Sequence, residues 1–181
     1  MVCTGNLCRS PLAEALLRRQ LEDAGLEADV ASAGIAAPSG ATPDPKLQRV
    51  ATELGVDVSA HRSQRLKPEH TAIADLILVM TRSHAEKVGA IDPSAAGRVV
   101  TLRAAAWKSR TSSGRDLPFA EWVRLLTADV PLAERVWSTS QDIADPIGRP
   151  LRRYREMAAE VDSSLSALVR HWPAPSAGTT R

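Results

Sequence analysis

The apolar positions along the chain switch between two spacings, and the switch predicts helices and buried strands in turn. Leu12, Leu16, Leu17 and Leu21 recur at helical spacing and predict a helix over residues 11–21. Ser10 is placed to cap it, Pro11 suits its first position, and Gly25 marks its stop. Residues 29–33 read as a short strand. Leu47, Val50, Ala51 and Leu54 mark a second helix, closed by Gly55. Residues 76–80 are an unbroken apolar run, the pattern of a strand covered on both faces of a parallel sheet. A helix over 83–88 and another buried strand over 98–102 follow. Met157, Val161, Leu165 and Leu168 set the period of a last helix over 154–172. Strands alternating with helices predict an α/β fold on a parallel sheet.

Three segments break this rhythm. Residues 38–45 are rich in proline and glycine and read as a loop. Residues 107–140 hold Trp107, Trp122 and Trp137, three of the four tryptophans, and Phe119, the one phenylalanine. Helical patterns at 119–128 and 131–137 follow a Ser/Thr/Gly/Arg loop at 108–116, so the segment reads as a helical insertion whose tryptophans form a small core of their own. Residues 173–181 are Pro/Ser/Gly/Thr-rich and predict a disordered tail. A single domain over 1–172 follows, a usual size for one core.

Charge narrows the function classes. The 181 residues carry 23 basic and 21 acidic side chains, a formal net charge of +2, with no dominant basic block to attract nucleic acid or a membrane surface. No apolar stretch is long enough to span a bilayer and no signal-peptide pattern opens the chain, so a cytoplasmic location is expected. Cys3 and Cys8 are too few for a disulfide framework, and His61, His70, His84 and His171 are too scattered to complete a zinc site with them. No metal is expected, and the histidines read as surface residues.

The chemistry concentrates in the opening, Cys3-Thr4-Gly5-Asn6-Leu7-Cys8-Arg9-Ser10, a C-x5-R loop running straight into the first helix. A loop at the carboxyl edge of a parallel sheet is where open α/β folds bind ligands. Free N–H groups at a helix start favour an anion. Gly5 and Asn6 allow left-handed backbone, which turns successive N–H groups inward as a nest, and Arg9 offers a planar fork that matches phosphate. The same positive field favours the thiolate at a cysteine so placed, which makes Cys3 a candidate nucleophile toward phosphorus, with Ser10 able to donate to it. No Walker loop is present, so nucleotide binding is not indicated. A leaving oxygen needs a proton and the hydrolytic water a base; Asp145, in the turn Asp145-Pro146-Ile147-Gly148, is the candidate for both.

The loop with its serine and proline, the downstream Asp-Pro-x-Gly, Ser32-Ala33-Gly34 and the run Ala74-Asp75-Leu76-Ile77-Leu78-Val79-Met80 together resemble the low-molecular-weight protein-tyrosine phosphatase family over most of residues 1–106 and 142–171. The resemblance implies a Rossmann-like, three-layer fold with a four-stranded parallel sheet flanked by helices. It implies Cys3 as nucleophile in a cysteinyl-phosphate intermediate, Arg9 as phosphate clamp, and Asp145 as general acid and base. Thr4, Gly5, Asn6, Leu7 and Cys8 would bind phosphate through their backbone, alongside Arg9 and Ser10. No cofactor is implied. The partners are phosphotyrosine-containing proteins, and the chain is expected to be a monomer or weak dimer. Leu7 stands where relatives that resemble arginine phosphatases carry threonine, which favours phosphotyrosine.

The family usually has a full apolar strand before the nucleophile, whereas only Met1 and Val2 precede Cys3, so the first strand is expected to be largely missing and the reading frame mis-started or the chain a fragment. Ile147 replaces an aromatic residue often found beside the acid, and the Trp-rich segment is a candidate substitute wall for a phenyl ring. Cys8 is a candidate partner for a reversible disulfide with Cys3, or a small buried apolar residue. Protein-arginine phosphatase, arsenate reduction with an external thiol, and non-catalytic phosphate binding remain open on the same scaffold.

Overall fold

The computed structural model describes residues 1–111, 114–128 and 141–174. Its sheet has four parallel strands in the order β2-β1-β3-β4: β1 is Val2–Cys3, β2 Ala33–Gly34, β3 Ile77–Val79 and β4 Val99–Thr101. The helices are α1 (Arg9–Asp23), α2 (Pro45–Glu53), α3 (Pro68–Ile73), α4 (Arg82–Ile91), α5 (Leu102–Thr111), α6 (Phe119–Thr127) and α7 (Leu151–Val169), with a 3-10 helix at Pro93–Arg98. No helix among the described residues is long and apolar enough to cross a membrane.

The two-residue period of the strands divides the core into two layers. Cys3, Leu78, Met80 and Val100 belong to the layer that includes Leu12, Leu16 and Leu21 of α1, Ala105 of α5 and Val161, Leu165 and Leu168 of α7. Val2, Ile77 and Val79 belong to a smaller layer with Val88 of α4 and Ala95 of the 3-10 helix. A fully apolar strand is what such two-sided cover demands.

Short as it is, β1 is the centre of the sheet. Val2 lies opposite Ala33 on one side and Val79 on the other, and Cys3 lies opposite Gly34. Chain direction reverses in sheet order at β1, which puts the following loop at the topological switch point. Of the expected strand at 29–33 only Ala33 enters the ladder, where its N–H donates to the Met1 carbonyl at 3.0 Å.

The expected elements recur with shifted ends, and two corrections concern the tryptophan segment. Residues 108–111 continue α5 instead of forming a loop, because Ala104, Ala105, Ala106, Lys108 and Ser109 are buried along it. Among the described residues, Trp107 and Trp122 make no separate core. Trp122 has no exposed surface, meets Phe119 at a tilt and Trp172 edge-to-face at centroid distances of 5.8 and 5.2 Å, and belongs to the main core; Trp107 is 45% exposed. Trp122 therefore offers no wall to a ligand. Gly114 makes room for it: a Cβ there would lie 2.5 Å from the Trp122 ring. The helical pattern at 131–137, with Trp137, and residues 175–181 of the expected tail lie outside the described residues.

Replacing Trp122 by alanine removes the largest side chain of this cluster and is expected to destabilise the fold by about 3–5 kcal/mol, with phenylalanine costing less. Thermal melts of the two variants check the order.

Candidate active site

Every site residue named from the sequence comes to the carboxyl edge of the sheet. Cys3 ends β1; Thr4 to Leu7 form the loop; Cys8 is the N-cap position of α1; Arg9 and Ser10 are its first two residues. The loop turns through Asn6, whose φ of 52° is left-handed. Of the two expected left-handed positions, only Asn6 takes that conformation. The backbone N–H of Asn6 donates to Cys3 Sγ at 3.3 Å, and Cys3 Sγ lies 3.0 Å from Ser10 Oγ. Two groups able to donate thus converge on the sulfur.

Ser10 does not cap α1, contrary to its expected role. Its hydroxyl is taken up by the thiol and by Asn6 Nδ2, which donates to it at 2.9 Å. The cap position, Cys8, supplies no side-chain bond, so the first N–H groups of α1 remain suited to an anion. Both cysteines are free and buried. Burial, reinforced by Asp44 and Asp145, pushes the Cys8 thiol well above the ordinary range. Cys8 thus sits as a protonated, apolar member of the core.

Arg9 is 3% exposed, and a buried cation needs partners. Its Nη1 donates to the Ile143 carbonyl at 3.2 Å, its Nη2 pairs with Asp145 Oδ2, and its buried Nε has no hydrogen-bond partner among the described residues. Asp145 reaches Arg9 because the segment before it is tied down twice. The Ile143 N–H donates to the Met80 carbonyl at the end of β3 at 2.8 Å, and Asp142 Oδ1 accepts from the Arg82 N–H at 2.8 Å. Asp145 Oδ1 then accepts from the Ile147 N–H at 3.2 Å, and Gly148, at φ 76°, closes the turn. Ile147 is exposed beside it.

The supporting residues were missed in the sequence. Asn6 Nδ2 also donates to Ser32 Oγ at 2.8 Å, and Asn6 Oδ1 accepts from the Gln64 N–H at 2.9 Å. Two histidines read as surface residues touch the loop: His61 Nε2 lies 3.0 Å from the Asn6 carbonyl, and His84 Nε2 lies 2.9 Å from Thr4 Oγ1. Both contacts span more than fifty residues, so no local pattern signals them. Burial, then Arg9 and Lys87, lower the His84 pKa from 6.5 to about 4, against the opposing pull of Asp142 and Asp145.

The comparisons with known proteins fit this geometry. The family model described as low molecular weight phosphotyrosine protein phosphatase matches residues 1–118. This chain belongs to that family. A probable low molecular weight protein-tyrosine-phosphatase, EpsP, of Ralstonia solanacearum is 44% identical over 102 residues, covering 56% of this chain and 68% of the relative. A protein-arginine-phosphatase of Geobacillus stearothermophilus is 33% identical over 169 residues, covering 93% of this chain and 90% of the relative. Among solved structures, the Erwinia amylovora tyrosine phosphatase AmsI superposes with a TM-score of 0.70 at 28% identity, covering 93% of this chain and 88% of that one. The family assignment agrees with the four-stranded parallel sheet and its flanking helices.

Two tests follow from the geometry. A Cβ at Gly34 would lie 2.6 Å from the Thr4 carbonyl oxygen and 2.8 Å from the Asn6 nitrogen, both backbone atoms of the loop. Gly34→Ala should cost about 1–3 kcal/mol in a denaturant melt and weaken oxyanion binding, because the loop itself must move. For His84, the unfolded chain binds a proton that the fold resists between pH 6.5 and about 4. Its contribution to stability is full above pH 6.5 and falls as pH drops toward about 4; His84→Gln should flatten that part of the stability–pH curve.

Proposed function

We propose that the protein is a phosphotyrosine phosphatase acting through a cysteinyl-phosphate, with Cys3 as nucleophile, Arg9 as phosphate clamp and Asp145 as general acid and base. The observation that carries the reading is the convergence on one sulfur, at the mouth of a helix, of the Asn6 N–H and the Ser10 hydroxyl, with the buried Arg9 guanidinium in the same loop. The loop backbone from Thr4 to Cys8 and the first turn of α1 would hold the phosphoryl oxygens. The unpartnered Arg9 Nε is a buried donor that an oxyanion satisfies.

In the first step, Cys3 Sγ, as thiolate, forms an S–P bond while the P–O bond to the tyrosyl oxygen breaks, and protonated Asp145 gives its proton to that oxygen. Bound phosphate takes over the Arg9 nitrogen that now holds Asp145, which frees the carboxyl for the leaving group. In the second step water attacks phosphorus, the Asp145 carboxylate takes its proton, and the S–P bond breaks to return the thiolate and release inorganic phosphate. Ser10 and the Asn6 N–H stabilise the departing sulfur. Partly buried Leu7 and exposed Ile147 give the mouth apolar surface suited to a phenyl ring. Phosphotyrosine proteins are the substrates on this reading.

A second reading, phosphoarginine hydrolysis on the same residues, is favoured by one observation: the arginine-phosphatase relative matches 93% of the chain, whereas the EpsP match covers 56%. Side-by-side kcat/KM on phosphotyrosine and phosphoarginine peptides decides between them. A preference of about tenfold or more for phosphotyrosine is expected from the apolar mouth, and the reverse preference transfers the proposal to phosphoarginine.

Asp145→Asn separates the acid from the nucleophile. It should slow phenyl phosphate by about 10²–10⁴ and p-nitrophenyl phosphate, whose leaving group needs less protonation, far less. Cys3→Ser should abolish both. Equal losses on the two esters with Asp145→Asn would remove Asp145 from the proton transfer.

A further inference from the structure

His84 lies outside the loop and outside the chemistry just described, yet it is 4% exposed and its ring is bonded at both nitrogens. It stands in the first turn of α4. Its Nδ1 is 2.8 Å from Thr81 Oγ1, the cap of that helix, and its Nε2 is 2.9 Å from Thr4 Oγ1, across the junction between β3 and the loop after β1. Thr4 Oγ1 in turn accepts from Arg9 Nη2 at 3.5 Å, and that same nitrogen holds Asp145 Oδ2.

One arrangement of protons satisfies every group. Thr81 Oγ1 accepts the His84 backbone N–H at 3.2 Å and can give its own proton to Nδ1. A neutral ring that accepts at Nδ1 carries its proton on Nε2 and donates it to Thr4 Oγ1. Thr4 Oγ1 then receives from His84 and from Arg9, and its own hydroxyl proton is left for a third group. On the reading of the loop as an oxyanion site, a phosphoryl oxygen beside the Arg9 nitrogen that holds Asp145 can take that proton.

We propose that His84 is a positioning residue of the phosphate cradle: it fixes the Thr4 hydroxyl against Arg9, where that hydroxyl is a side-chain ligand for a non-bridging oxygen of the bound phosphoryl group. The proposal rests on the reading of the loop as a phosphate site. It adds a side-chain donor to a cradle otherwise made of backbone N–H groups and Arg9, and it couples α4 to oxyanion binding. From the sequence, Thr4 is expected to bind phosphate through its backbone; here its side chain carries the role.

The test uses inorganic phosphate as competitive inhibitor of p-nitrophenyl phosphate turnover, on the full chain, with a melt for each variant. His84→Asn keeps an amide near Thr81 but falls short of Thr4. His84→Gln carries an amide nitrogen far enough to reach Thr4. Thr4→Val removes the hydroxyl and leaves the α4 cap untouched. His84→Asn and Thr4→Val should each raise the phosphate inhibition constant about three- to tenfold, the worth of one hydrogen bond. The double variant should be no worse than the poorer single one, since both break the same link. His84→Gln should stay within about twofold of the parent.

An unchanged inhibition constant in Thr4→Val overturns the proposal, even if His84→Asn fails to fold. Multiplying effects in the double variant, or a His84→Gln as impaired as His84→Asn, overturn it too, because they leave His84 with a structural role only. Failure of the phosphatase reading looks different: the parent protein then shows no turnover that Cys3→Ser abolishes.

Discussion

Asn6 held in a left-handed conformation is the constraint on which the site depends. At φ 52° it turns the chain so that its own N–H points at Cys3 Sγ. A non-glycine residue pays strain there, and asparagine is among the few that accept it. What holds it is a bond to nearby Ser10 in α1 and bonds to three distant residues: Ser32 before β2, and Gln64 and His61 in the segment before α3. The side chain has no exposed surface, and its bonds to Ser10 and Ser32 are buried, where competition from water is weakest. The loop is therefore shaped by the core around it, and Gly34, pressed against its backbone, closes the mould from the sheet side.

The second constraint is electrostatic. Arg9 is buried at the start of a helix whose first turn contains no acidic residue, and Asp145 is its ionic partner. A cation in that position favours any anion that can enter, and the carboxylate and a phosphoryl group compete for one nitrogen. Ile143, bonded both to Arg9 and to the end of β3, keeps the two within reach of each other.

Much of the fold was legible because the strongest patterns are local. The apolar run at 76–80 and the heptad-like spacing of α1 and α7 report burial directly, and β3, α1 and α7 lie there. Cys3, Arg9 and Asp145 could be picked out as candidates because loop and turn chemistry are short motifs, and the structure brings the three to one edge of the sheet. The tryptophan segment misled because composition says that aromatic residues are buried and not against what: Trp122 reaches Trp172, fifty residues away, and joins the main core. The histidines were unreadable for the same reason. His61 and His84 become part of the site only through the parallel crossovers that bring the ends of separate βα units to one edge, and Ser10 lost its expected capping role because the thiol and Asn6 took its hydroxyl.

The central claim is that Cys3 attacks phosphorus while Asp145 handles the proton. Acid-quenching Asp145→Ala during turnover of p-nitrophenyl phosphate, and sequencing the peptides by mass spectrometry, tests it most directly. The account predicts one phosphoryl group on the peptide that carries Cys3, located on its sulfur and absent from Cys3→Ser. Phosphate found on another residue, or steady turnover by Cys3→Ser with no phosphoenzyme at all, would contradict it.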